Sequence, residues 1–179
     1  MTQPAQEIHP FVNHLYSLGE KQNRGALAAL RRGLGQPPGT VADMYRYIVS
    51  WLPNNVSRRE ESAYYLVAAL YALHPKSTST GNLGEHLVRT RKKDGDDALE
   101  RRFTALLSAH VEDLPDYLRQ AVSFLKSKDE PINWDQLFRD LRSWDAPDRR
   151  VQKEWARSFW KTAQPSTDEE TTSSQKDTE

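Results

Sequence analysis

Apolar residues return at three- and four-residue intervals along most of the chain, the period of helices with one buried face. Ile8, Phe11, Val12, Leu15 and Leu18 follow that spacing and Pro10 suits a first turn, so a helix is predicted over about 9–19. Asn23 is placed to cap a second over about 23–34, with Ala26, Leu27 and Leu30 inward, until Gly33, Gly35 and Pro37-Pro38-Gly39 stop it. A third is predicted over about 41–52, with Met44, Tyr45, Ile48 and Leu52 on one side and Pro53 at its end. Ser57-Arg-Arg-Glu60 is a capping box. It opens a helix to Leu73 that is apolar nearly all round (Ala63 through Tyr71), the pattern of an element at the centre of a bundle.

The second half repeats the theme. Asn82 caps a short helix to about Arg91. Asp97-Ala-Leu-Glu100 opens another to about His110, with Leu99, Phe103, Leu106 and Leu107 apolar. Pro115 starts one bearing Leu118, Ala121, Val122 and Leu125. Asn133 caps one bearing Trp134, Leu137, Phe138 and Leu141. The last runs from about Pro147 to Lys161 over Val151, Trp155 and Phe159. The β-branched runs and strict alternation of strands are missing. The expected fold is therefore all-α: about nine helices with short connections, in a compact two-lobed bundle forming one domain over residues 1–162.

Composition changes this picture at the C-terminal end. Lys plus Arg equals Asp plus Glu, 25 each, so a uniformly basic coat is excluded. The charges are nonetheless separated. Residues 163–179 hold five acids and one Lys and no apolar period, which predicts a disordered acidic tail and leaves residues 1–162 with a net charge of +4. Cysteine is absent, which removes disulfides, thiolate metal sites and thiol nucleophiles and suits a reducing compartment. The first ten residues lack the basic and apolar regions of a secretory signal. The longest apolar stretch, 63–73, is far short of the roughly 20 residues a bilayer span needs. A soluble, cytoplasmic protein with no membrane contact is expected.

Candidate chemistry is sparse. The five His (9, 14, 74, 86 and 110) include no i, i+4 pair of the zinc-helix kind. Asp94, Asp96 and Asp97 begin like a calcium loop, but Ala98 and Ala105 stand where ligands are required, so the segment reads as a solvated turn leading to a cap. The Gly33–Gly39 string follows a helix and lacks the last glycine of a dinucleotide turn. Ser62, Ser108 and Ser123 have no nucleophile-elbow glycines. Neither a catalytic site nor a cofactor nor a metal is expected.

Cation placement is the positive signal. Residues 21–42 hold four basic residues and no acid; Arg24 and Arg31 share a helical face, with Arg32 beside Arg31. Arg101 and Arg102 are expected opposite the Phe103/Leu106 face. Arg150, Lys153, Arg157 and Lys161 form a stripe down the last helix. Arg is suited to phosphate because its planar fork binds two oxygens at once. The bland alternative is a set of solvated faces, with Arg149 and Arg150 placed to pair with Asp145 and Asp148, and Glu154 with Arg150 or Arg157. Trp134 and Trp155 read as core, whereas Trp51, Trp144 and Trp160 sit near helix ends and are candidates for an interface.

Several strings together resemble the CasB family, the small subunit of the type I-E CRISPR Cascade complex. They are Arg24-Gly-Ala-Leu-Ala-Ala-Leu-Arg-Arg-Gly33, Tyr45-Arg-Tyr, the 63–75 run, Asn82-Leu-Gly84, Glu100-Arg-Arg-Phe103, Leu118-Arg-Gln-Ala-Val, Ile132-Asn-Trp134, Trp144-Asp and Arg149-Arg-Val-Gln. The likeness spans about 8–161 in the same order. It implies a helical, non-catalytic subunit that pairs head to tail. The implied neighbours are the CasA, CasC, CasD and CasE subunits and the guide RNA. The implied ligand is target DNA in the R-loop, mainly the displaced strand. The motifs place Arg31, Arg32, Arg46, Arg101, Arg102, Arg119, Arg149 and Arg150 on that surface. Arg24, Lys153 and Arg157 join them as candidates from spacing alone. The competing readings are a stand-alone helical DNA-binding regulator, with the last helix in a groove, and a purely structural helical adaptor.

Overall fold

The computed structural model describes residues 7–92 and 95–161. The acidic tail expected over 163–179, and Asp94 of the calcium-like turn, lie outside them. Among the described residues there are nine α-helices and no strand, as the period predicts. None of these helices is long and apolar enough to cross a membrane.

Helix α1 (Pro10–Glu20) begins on the proline, with Phe11, Val12, Leu15 and Leu18 buried; Ile8 precedes it and is exposed, although the period had included it. In α2 (Arg24–Arg31) the Asn23 carboxamide accepts the Ala26 N–H at 3.0 Å. It ends three residues short of the predicted Leu34, because the amides of Arg32, Gly33 and Leu34 turn back to carbonyls three residues earlier and tighten the exit. The predicted single helix over 41–52 is instead two 3₁₀ turns (Ala42–Met44 and Val49–Trp51) around a four-residue α3 (Tyr45–Ile48). Its aromatic and β-branched residues are indifferent helix formers, and Leu52, ahead of Pro53, is extended as the proline ring requires.

Helix α4 (Arg58–Leu73) has the predicted capping-box serine, Ser57 Oγ accepting the Glu60 N–H. Its buried residues point in every direction: Ala63, Tyr64, Tyr65, Val67, Ala68, Ala69, Leu70, Tyr71 and Ala72. Helices α1, α2, α7 (Leu114–Ser127) and α8 (Trp134–Arg142) cover it. Beyond them, α5 (Leu83–Arg89) and α9 (Arg150–Lys161) pack closely as a pair, while α7 also meets α5 and α6 (Asp97–Ser108) and so joins the two groups. Residues 76–78, after α4, run beside Ile132, before α8, through an isolated parallel bridge. Two starts differ from prediction. The cap of α6 is Asp96 and not Asp97, its carboxylate accepting the Leu99 N–H. Helix α9 starts at Arg150 and not near Pro147, because Arg149 stands at φ +55°, a left-handed conformation that interrupts any helix.

The tryptophans tie the second group to the first. The indole N–H of Trp155 donates to the buried Asp140 carboxylate at 2.7 Å, and Gln136 donates to the other oxygen at 2.8 Å. Trp144 lies against Trp155 with centroids 5.1 Å apart and is core, not interface. Trp160 stays exposed, and Trp51 is half-buried and stacked on His14.

The α5–α9 contact admits no side chain at Gly84: a Cβ there would lie 2.2 Å from the Trp155 carbonyl oxygen, a backbone atom that cannot rotate away. Gly84→Ala is therefore expected to cost about 2–3 kcal/mol in urea unfolding; a loss of only a few tenths would show that α5 and α9 separate freely.

Two buried groups set opposing pH dependences. Burial, reinforced by the Arg89 cation, lowers His86 to about 4, so its 3.8 Å approach to Glu130 is not an ion pair at neutral pH. The unfolded chain takes up a proton near the ordinary 6.5 that the folded chain refuses. Stability therefore falls as pH drops from 6.5 to about 4, by about 3 kcal/mol. Burial raises Asp140 to about 6 despite its Trp155 and Gln136 donors. Here the folded chain gains the proton first, so stability rises as pH falls from about 6 towards 3.8. Asp140→Asn should thus steepen the acid loss seen in unfolding curves between pH 6.5 and 4, and His86→Gln should flatten it; variant and wild-type curves that stay parallel would refute both assignments.

Candidate nucleic-acid interface

The buried face of α2 (Ala26, Leu27, Ala29, Leu30) turns Arg24 and Arg31 outward. Arg31 folds back so that its Nε donates to the Leu27 carbonyl at 3.3 Å. Arg32 pairs with Asp43, one residue beyond the segment that had seemed free of acidic partners. Arg46 is exposed on α3, its guanidinium 5.3 Å from the Tyr47 ring centre. On α6, Arg101 is exposed, but Arg102 is not opposite the apolar face. It follows Leu99 by three residues and precedes Leu106 by four, which sets it on the edge of that face, and it lines a cleft with both.

Arg119 links these pieces. It pairs with Asp116 at 3.3 Å and lines the same cleft as Arg102. Its Nη1 also lies 3.1 Å from where a Cβ on Gly35 would stand, so the loop leaving α2 passes directly beneath it; Gly35, at φ +74°, is suited to that turn. Close approaches thus run from Asp43, in the 3₁₀ turn before α3, to Arg32 and along the 33–39 loop to Arg119, which shares its cleft with Arg102.

The α9 stripe is not part of that run of contacts. Arg150 and Lys153 are exposed, and Arg157 lines a larger cleft of about 1080 Å³ with Asn82, Glu85, Asp135 and Glu154. Glu154 makes no ion pair with Arg150 or Arg157. Asp145 pairs at 3.0 Å with Arg59 instead of Arg149 or Arg150. Asp148 accepts the Arg150 backbone N–H and, among the described residues, makes no ion pair. Arg149 donates to the Leu107 carbonyl at the end of α6.

The arginines therefore divide. Among the described residues, only Arg32 and Arg119 of the predicted set are paired with a carboxylate. Outside that set Arg89, Arg91, Arg139 and Arg142 are paired with Glu130, Glu100, Asp135 and Glu60, as Arg59 is with Asp145. Arg91 is also packed over Phe159, its guanidinium 4.5 Å from the ring centre. Sequence reasoning missed Arg58, exposed, without an ion pair among the described residues, and lining a cleft with Gly35 to Pro38. The Arg58-Arg59 doublet was its signal, absorbed by the capping box.

A family model for CRISPR-associated protein Cse2 matches residues 26–160, nearly the whole described chain. The chain belongs to the Cse2 family. It is 38% identical over 145 residues to the CRISPR-associated protein Cse2 of Thermus thermophilus, covering 79% of this chain and 82% of that one. The solved CasB of Thermus thermophilus superposes with a TM-score of 0.75 at 33% identity, over 89% of this chain and 99% of that chain. A chain of a solved CRISPR RNA-guided surveillance complex superposes at 0.71 with 28% identity, over 85% and 94%. The likeness read from the motifs thus holds for the family. Every candidate except Arg24 falls within the Cse2 match, and Arg24 lies just before it.

Arg149 and Arg150 are adjacent but differently engaged, and this is measurable. Arg149→Met should lose about 1 kcal/mol in urea unfolding, because the Leu107 carbonyl loses a charged donor, while Arg150→Met should be near neutral. Equal effects would remove the distinction between them.

Proposed function

We propose that this Cse2-family chain is a non-catalytic subunit of a Cascade-type, RNA-guided CRISPR surveillance complex in the cytoplasm, and that residues 1–162 act as one unit. Its guanidinium surface holds the displaced DNA strand and supports the guide–target heteroduplex. Arg24, Arg31, Arg32, Arg46, Arg101, Arg102, Arg119, Arg149, Arg150, Lys153 and Arg157 are the groups assigned to that surface. Its partners are the CasA, CasC, CasD and CasE subunits, the guide RNA and a second copy placed head to tail.

The observation that carries this reading is the division among the arginines. Those outside the candidate set, Arg58 excepted, are held by acids within the fold, whereas most of the candidates are exposed and have no carboxylate partner among the described residues. Leaving several guanidinium groups unpaired on one protein is unfavourable by mutual repulsion, and a polyanion relieves it by releasing its counterions. Such contacts read charge and not sequence. They are sufficient for this task, because exchanging a DNA duplex for an RNA–DNA hybrid is nearly balanced and small backbone contributions tip it.

The test is the lifetime of the R-loop in a reconstituted complex carrying Arg31→Ala, Arg32→Ala, Arg101→Ala and Arg102→Ala together. Dissociation should accelerate about tenfold or more, with a shallower dependence on salt. An unchanged lifetime in a fully assembled complex would sink this surface; loss of assembly with normal DNA affinity would favour a structural adaptor instead.

A further inference from the structure

The cleft between α6 and α7 differs in composition from the other large clefts of the described residues, each of which has a carboxylate in its lining. It encloses about 590 Å³, within the range of sites that take a small organic group. Leu87, Leu99, Phe103 and Leu106 form its buried floor. Tyr117 and Phe124 stand half-buried along its wall, and Arg102 and Arg119 line it. No carboxylate lines it, whereas the cleft holding Arg157 carries Glu85, Asp135 and Glu154.

Two of its three aromatic residues also stand apart within this fold, Phe103 being stacked on Phe159. Nearly every Phe, Tyr and Trp of the described residues lies against another ring. Among the described residues Tyr117 and Phe124, like Tyr47 elsewhere, have no ring partner, and the Tyr117 hydroxyl makes no hydrogen bond. A third cation, Lys128, sits 5.7 Å from the Phe124 ring centre. Rings without ring partners, in a lining that holds Arg102 and Arg119 and no carboxylate (Asp116, paired with Arg119, stands outside it), suit an occupant that is flat, apolar on its faces and attached to an anion. A buried apolar helix from a protein partner would strand Arg102 and leave its charge uncompensated.

We propose that the α6–α7 cleft takes an unstacked base of single-stranded DNA against Tyr117 and Phe124, with Arg102 and Arg119 on the adjoining phosphates. This rests on the displaced-strand reading above and locates a second, uncharged contribution to it. Gln120 and Ser123, also lining the cleft, offer hydrogen bonds that any base edge can accept or donate to, so the site is tolerant of sequence.

The experiment compares the full-length chain binding two strands of equal length and phosphate count, oligothymidylate and an abasic polymer, by fluorescence anisotropy at low and physiological ionic strength. The base-bearing strand should bind about tenfold tighter. Tyr117→Leu with Phe124→Leu, which removes the rings but keeps an apolar side chain at each position, should erase that difference and leave the abasic affinity unchanged, with an unaltered circular-dichroism spectrum as the check on folding. Arg102→Ala with Arg119→Ala should weaken both strands. Equal binding of the two strands by the unaltered chain would overturn base capture while leaving the basic-surface reading intact. Failure to bind either strand at low salt would overturn both. An acidic, Leu-rich peptide that binds the unaltered chain but not the double Leu variant, with no base-dependent difference, would make the cleft a protein-docking groove and refute the proposal.

Discussion

The apolar circumference of α4 is the constraint from which the rest of the molecule follows. A helix with one apolar stripe needs one neighbour. A helix with buried residues on every side must be enclosed, and α1, α2, α7 and α8 do this. Each covering helix has its own apolar face turned inward and its polar face outward, so the guanidinium groups have nowhere to go but the rim. The alanines of α4 allow close approach, while Tyr64 and Tyr71 fill the gaps against Phe11, Phe138 and Trp134.

Around that centre the fold allots its charges in two ways. Glu60, Asp145, Asp135, Glu100 and Glu130 each hold an arginine that bridges one element to another or braces a turn of helix. Partly exposed pairs of this kind contribute little stability individually, because water competes for both partners. Their consequence is in what they leave over. Once these acids are occupied, the arginines of α3 and α6, with those of α2 and α9, face solvent largely without internal competitors. An interior anion would have neutralised them, and a uniformly basic chain would have bound polyanions without restraint. The neutral total with a local excess avoids both.

Asp140 and His86 are the two titratable groups least at ease in this interior, and they are buried for different reasons. Asp140 receives the Trp155 indole that fixes α9, so its carboxylate joins α8 to α9. His86 accepts the Asn133 N–H at 3.1 Å and so holds α5 to the start of α8. Both joints lie in the half of the molecule where α9 must be held against α5 through the bare backbone at Gly84.

Sequence alone determined the elements that depend on neighbours within a turn: the periods of the helices, the caps at Asn23, Ser57, Asn82 and Asn133, the central place of α4, and the motif order that marks the family. It misread places where a few tenths of a kilocalorie in propensity are outweighed by surroundings, as in the broken 41–52 segment and the late start of α9. Only tertiary structure decided which arginine meets which acid. Arg142 and Glu60 are 82 residues apart and Arg89 and Glu130 are 41 apart, distances at which spacing carries no geometric information. For the same reason the α6–α7 cleft was invisible: Tyr117 and Phe124 come to line one cleft with Leu99, Arg102 and Phe103 only once α6 and α7 have packed together.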